Sequence, residues 1–385
     1  MIYLDHAATS PMRPEVLRRY TEALGVVGNP SSIHGAGQAA RALLEDGREA
    51  VAASLGADAV EVVLTGGGTE AVNLGIKGLF WARVATGSAR RIVVPMAEHH
   101  ATLDAVEWLV AHEHAVVDWI EVDEVGRIRL DALEAALATG GEETSLVTAL
   151  WANNEVGTLQ PVREIVDAAA RFGVPVHLDA IAAYGAVPID FHASDVAALS
   201  VSAHKIGGPV GVGALLVRRG VTVEPLLHGG NQQAQRSGTQ DAAGAAAFGV
   251  AAATVTAPSP ELRDRLADGI RSIEGAVLRG DPVDRLPGNV HATFAGCEGD
   301  SLLYLLDVAG FAVSTGSACQ AGVPEASHVL RAMGVAEDVA RGALRFTLGS
   351  STTAAEVDAL LGVLPGAVEQ ARAAGLAARQ PTLGR

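Results

Sequence analysis

The chain predicts an α/β fold built on a mostly parallel sheet. Between about residues 60 and 205, short apolar, β-branched runs alternate with helix-spaced segments, and each run ends in polar residues. After residues 254–260 (TVTAPSP), a stretch of linker composition, the pattern changes to long helices between strands near 288–294, 311–314 and 343–348, as expected of an α+β unit. At 385 residues the chain is long enough for two such domains, each with its own core.

The elements follow in order. Residues 3–11 (YLDHAATSP) start extended and then break into small residues and proline, so Asp5, His6 and Thr9 are either site groups or turn formers. Pro14 to Leu24 reads as a helix, residues 28–34 (GNPSSIH) as a loop, and Gln38 to Leu55 as a second helix. Residues 60–74 give a short strand, a triple-glycine turn and a helix opening near Thr69, an arrangement that lets backbone N–H groups and a helix dipole face a phosphate. A tight strand–helix turn explains the same glycines. The turn lacks the Gly-Lys-Ser/Thr of a nucleotide P-loop and the dinucleotide G-x-G-x-x-G pattern.

Arg91 to Val94 is a strand. His99 follows its end, where an imidazole can stack on a flat ring, move a proton or cap the helix that runs to about His112. Ala115 to Val122 is the next strand, and Asp131 is expected to cap the helix after it. Thr144 to Leu150 leads into Asn153 and Asn154, whose amides favour a polar ligand. Pro161 to Phe172 is a helix with proline in its first turn, and the next strand ends at Asp179.

The apolar run from Ala198 delivers Ser202, His204 and Lys205 to a Gly-Gly-Pro stop. An amine placed there can form a Schiff base with pyridoxal phosphate (PLP), with the serine and histidine on its phosphate; an ordinary solvated lysine is the alternative. Thr69, His99, Asn154, Asp179 and Lys205 all fall at expected strand ends, the edge where parallel sheets bind ligands. Five polar groups on one edge are hard to explain as packing. Farther on, residues 228–239 form a long polar loop before an Ala-rich helix. Arg345 lies on a strand and needs a partner, either a substrate carboxylate or an internal acid. Cys297 and Cys319 both sit among small residues, and position alone does not rank them.

Composition narrows the partners. The formal charge is 28 − 44 = −16, which argues against nucleic acid as a bulk electrostatic partner. No apolar run reaches the roughly 18 residues of a membrane span, and the first ten residues do not read as a signal peptide. Two cysteines are too few for a disulfide framework or a Cys-rich zinc site, so no metal and a reducing cytoplasm are expected.

Taken together, YLDHAATSP, GNPSSIH, LTGGGTE, AEHHATLD, ANNEVGT, HLDA, SAHKIGGP, RSGT, STGSAC and RFTLG resemble a NifS/IscS-like cysteine desulfurase of the class V aminotransferase family, fold-type I PLP enzymes. The S-x-H-K lysine and the GSAC cysteine, in this order and spacing, are the specific pair. The resemblance implies a large PLP-binding domain over residues 13–255 with a mostly parallel seven-stranded sheet. It also implies a small α+β domain, formed by 1–12 and 256–385, that carries the catalytic cysteine. Lys205 would hold PLP as a Schiff base. Gly68, Thr69, Ser202 and His204 would bind its phosphate, with Thr239 reaching across from the second subunit of a homodimer. His99 would stack on the ring, Asn154 lie near its O3′ and the substrate, and Asp179 pair with the ring nitrogen. Arg345 would take the carboxylate of L-cysteine, and Cys319 would accept its sulfur as a persulfide, leaving L-alanine. A sulfur-acceptor protein, serving iron–sulfur cluster assembly, tRNA thiolation or a sulfur-containing metabolite, would follow.

One departure stands out. Three residues after Asp179, where the family usually has a glutamine that bonds O3′, this chain has Ala182. That leaves open another PLP reaction on the same fold (selenocysteine lyase, C–S lyase or aminotransferase), and whether Tyr184 compensates is not readable from the sequence.

Overall fold

The computed structural model describes residues 1–87, 90–316 and 326–379. A seven-stranded sheet runs in the spatial order Val62–Thr65, Gly213–Val217, Ala198–Ser202, Val176–Asp179, Thr144–Leu150, Arg91–Pro95, Val116–Ile120. Gly213–Val217 is antiparallel to both its neighbours, and every other pairing is parallel. The strands carry near-continuous apolar runs because helices cover both faces. Alternation along each strand sorts the side chains: Val62, Leu64, Val93 and Val147 enter one core cluster, while Val63, Ile92, Val94 and Leu146 enter the other. Helix Gly68–Thr86 covers the second face, and its Leu74, Ile76, Leu79 and Phe80 are fully buried there.

A separate core gathers helices Pro260–Arg271, Gly299–Val308 and Ala354–Arg379 on the antiparallel sheet of Ala276–Arg279, Asn289–Phe294 and Ala343–Thr347. The N-terminus joins this core. Ile2–Tyr3 pairs in parallel with Phe311–Ala312, and Leu4 is buried among its residues. Residues 5–10 are thereby laid between the two cores, over the end of the Lys205 strand: Ser10 N donates to the His204 carbonyl, and Ser10 Oγ to that of Lys205.

Most elements lie where the sequence expects them, with helix Pro14–Leu24 and strand Thr144–Leu150 matching end to end. Asp131 differs. The helix begins at Leu130, so Asp131 lies inside its first turn, where it pairs with Arg129 at 2.6 Å instead of capping. Its charge still complements the helix dipole from that position.

Candidate active site

A cleft of about 340 Å³ opens at the carboxyl ends of the parallel strands. Among the residues that line it are Gly68, Thr69, His99, Asn154, Asp179, Ser202, His204, Lys205 and Arg345. Of the expected site residues within the described chain, only Thr239 lies elsewhere. It shares a smaller hollow with Thr65, Gly66 and Arg236, so one chain alone does not bring it to Lys205.

Lys205 follows strand Ala198–Ser202 in a single tight turn, Ala203–Ile206, which ends at Gly207 with φ +73°. Its Nζ donates to the carbonyls of Ala7 and Ala8, the latter at 3.0 Å. Burial lowers the amine to about 8, helped by Arg345 and opposed by Asp179 and Asp5. At that value a substantial fraction is neutral, hence nucleophilic, near physiological pH.

Asp179 ends its strand almost fully buried and accepts from Ile181 N at 2.9 Å. Burial raises its carboxyl to about 6 against that bond and the Lys205 charge. Such a carboxyl lacks a full cationic partner and suits one, such as a protonated ring nitrogen. His99 does two jobs. Its Nδ1 accepts from Ala101 N at 3.0 Å, capping helix His100–Glu113, which leaves the proton on Nε2. Burial, then Lys205, lowers it to about 4, so the ring facing the cleft is neutral.

The glycine turn supplies the anion end. Gly67 has φ +136°, where a side chain would be strained, and a Cβ on Gly68 would lie 2.5 Å from Ile181 Cδ1, which would have to move aside. Helix Gly68–Thr86 starts here with its N–H groups toward the cleft lining. Beside it, Ser202 Oγ is buried with no hydrogen-bond partner among the described residues. A buried hydroxyl of this kind calls for a ligand or water. An anion cradle, a lowered lysine, a neutral imidazole and a buried carboxyl in one cleft fit a flat pyridine ring bearing a phosphate and an aldehyde.

Arg345 has the internal acid that one sequence alternative called for, and it also lines the cleft. Its Nη2 meets Asp5 Oδ1 at 3.0 Å and its Nη1 donates to the Asn154 carbonyl. The two asparagines divide. Asn153 is structural, its Oδ1 accepting from Glu155 N and Val156 N and its Nδ2 donating to Ala97 O. Asn154 reaches the cleft.

Cys297 is buried in the second core with its Sγ against Val368 O, and burial raises its pKa; an inert packing thiol results. Cys319 lies outside the described residues, although Gly316, just before it, lines the cleft. Tyr184 does not take the place of the absent glutamine: its hydroxyl is 2.6 Å from Ser54 Oγ. Ala182 instead forms part of the wall shared with a second, largely apolar cavity of about 190 Å³.

Sequence reasoning missed Glu98, Glu155 and His328, which also line the cleft. Glu98 is nearly inaccessible, accepts from Leu150 N, and is held well above the usual carboxyl range by burial. The one available signal was its position directly before His99 at a strand end.

Comparison with known proteins agrees with this geometry. The chain belongs to the class-V aminotransferase family, whose model matches residues 2–360. Within that family it is a homologue of the cysteine desulfurases. It is 50% identical to the IscS-like cysteine desulfurase of Mycobacterium tuberculosis, over 98% of this chain and 99% of that one. Among solved structures, a NifS-like protein superposes with TM-score 0.87 and 32% identity, covering 96% and 99% of the two chains. SspA in complex with cysteine gives 0.80 and 30%, covering 92% and 100%. The expected mixed α/β architecture with a mostly parallel central sheet is therefore the fold of this chain.

Proposed function

We propose that the cleft binds PLP on Lys205 and that the protein converts L-cysteine to L-alanine, passing the sulfur to Cys319 as a persulfide. The observation that carries the reading is the convergence of Lys205, Asp179, neutral His99 and unpartnered Ser202 on one cleft. Bound there, the cofactor supplies an electron sink for negative charge at the substrate Cα.

The chain's own groups do the rest. Gly68, Thr69, Ser202 and His204 hold the phosphate, His99 covers one face of the ring, and Asp179 keeps the ring nitrogen protonated. Arg345, with Asn154 beside it, takes the substrate carboxylate. Lys205 Nζ, lowered to about 8 and so partly neutral near physiological pH, moves the Cα proton. The Cys319 thiolate attacks the substrate sulfur: an S–S bond forms, the Cβ–S bond breaks, and its electron pair stays on carbon, which is protonated to give alanine.

Three further parts belong to this reading. Residues 13–255 form the cofactor domain, and 1–12 with 256–385 the domain that carries Cys319. The active unit is a homodimer in which Thr239 completes the partner's phosphate site, as its separation from Lys205 within one chain suggests. A sulfur-acceptor protein in a reducing cytoplasm receives the persulfide. No helix among the described residues is long and apolar enough to cross a membrane.

The test is to add PLP to the protein, then L-cysteine with a thiol reductant, and to quantify alanine and sulfide. Equal yields are expected. Cysteine loss without alanine would refute the reading.

A further inference from the structure

We infer that Glu98 is a positioning residue for the cofactor ring, its side chain joining His99 to the strand end that holds Asp179. The inference rests on the function proposed above, in which His99 covers the ring and Asp179 meets its nitrogen. Glu98, His99, Leu150 and Asp179 all line the cleft.

The need for such a contact begins in the sheet. Strand Thr144–Leu150 pairs with Arg91–Pro95 only as far as Val147. On its other side it pairs with Val176–Asp179 through to Leu150, which stands opposite Asp179. The last residues of the strand therefore outrun one neighbour, and a buried N–H on that side needs another acceptor. Glu98 supplies it: its Oε1 accepts from Leu150 N at 2.9 Å. The next N–H, of Trp151, points the other way and donates to the Asp179 carbonyl at 2.8 Å. The carboxyl thus stands in for a missing strand residue and holds the backbone that fixes Asp179.

Glu98 is itself held in place. Its carbonyl accepts from His328 Nε2 at 2.7 Å. Directly after it, His99 is locked into the start of helix His100–Glu113: its Nδ1 accepts from Ala101 N at 3.0 Å and its carbonyl from Thr102 N at 2.8 Å. With the backbone at 98–99 held this way, the bond to Leu150 fixes the imidazole relative to Asp179.

The group acts as a neutral acid. Burial, joined by the nearby Asp179 charge, holds it well above the usual carboxyl range against the Leu150 bond. A second anion here would repel Asp179 and compete for the positive charge of the ring. A neutral carbonyl oxygen still accepts from Leu150 N, so glutamine should do the same work. That separates a positioning acceptor from a carboxylate whose charge takes part in the chemistry.

The experiment compares Glu98→Ala and Glu98→Gln in the full-length protein, by PLP titration and by amide hydrogen exchange with and without PLP. The Ala variant should bind PLP about 10-fold or more weakly, shift the visible band of the bound cofactor and exchange faster at residues 150–152. The Gln variant should stay within about 2-fold of wild-type affinity and keep the wild-type band and protection. Wild-type affinity and band in Glu98→Ala overturn the inference, and so does a Gln variant as weak as the Ala variant. If Glu98→Ala does not fold, Glu98→Asp withdraws the acceptor by one methylene, and wild-type PLP affinity there overturns the inference equally. Failure of the functional reading is distinct. Wild-type protein would then bind no PLP or form no alanine, while exchange at 150–152 in the variants still reads the inference.

Discussion

Arg345 and Asp5 form an ion pair of 3.0 Å in the wall of the cleft, with the Arg345 side chain only 6% exposed. The contact joins a strand of the second core to the N-terminal segment that also caps Lys205. A fork of donors is needed here, because one Nη already serves Asn154 O and the other serves Asp5. Arg345→Lys should raise KM for L-cysteine by about 10-fold or more while leaving PLP affinity within about 2-fold. Steady-state kinetics with a PLP titration checks it, and an unchanged KM contradicts a carboxylate role.

Lys205 sets a pH dependence for cofactor loading. The neutral amine attacks the aldehyde, and burial places its pKa near 8 in place of 10.5. The rate of PLP capture by cofactor-free protein should rise with pH, reach half its maximum near 8 and level off above. Stopped-flow absorbance measures this, and a midpoint near 10 would show that the amine is not perturbed.

Asp179 trades stability for chemistry. Its folded pKa, near 6, lies above its ordinary 3.8, so the cofactor-free native state binds more protons than the unfolded chain between those values. Stability from this group is therefore present at low pH and is lost as pH rises through about 6. At pH 8, Asp179→Asn should stabilise the cofactor-free protein by roughly 1–3 kcal/mol while it weakens PLP binding and lowers kcat. Thermal melts at about pH 4 and pH 8 test this, the gain being expected to be small at the lower pH and near its full size at the higher one.

Ala182 lines both cavities, and the Tyr184 hydroxyl is bonded to Ser54. Ala182→Gln should supply a donor near the ring oxygen and lower the midpoint of the pH titration of the visible band in PLP-loaded protein. A spectrum that titrates unchanged would mean that the side chain at 182 does not reach the ring.

The parallel sheet and its ligand edge were legible in the sequence because each strand is an apolar run with a polar tip, and His99, Asp179 and Lys205 are such tips. What local patterns cannot carry is contact across sequence distance. Asp5 reads as a turn former, and only folding sets it against Arg345, 340 positions away. Asn153 and Asn154 look alike in the chain, and backbone partners divide them. Glu155 was hidden because a carboxylate between asparagine and valine has no periodicity to mark it. Asp131 misled, since the capping rule fixes a preference and the helix begins at Leu130 with Arg129 as its N-cap, two residues earlier than a cap at Asp131 requires.

The central claim is that Cys319, and not Cys297, receives the sulfur. The most direct measurement is mass spectrometry of the PLP-loaded protein after a brief pulse of L-cysteine, followed by thiol alkylation and digestion. The account predicts that the Cys319 peptide gains one sulfur atom. It also predicts that Cys319→Ala abolishes both this and alanine formation, and that Cys297→Ala retains both. Added sulfur on Cys297, or full alanine yield from Cys319→Ala, would contradict it.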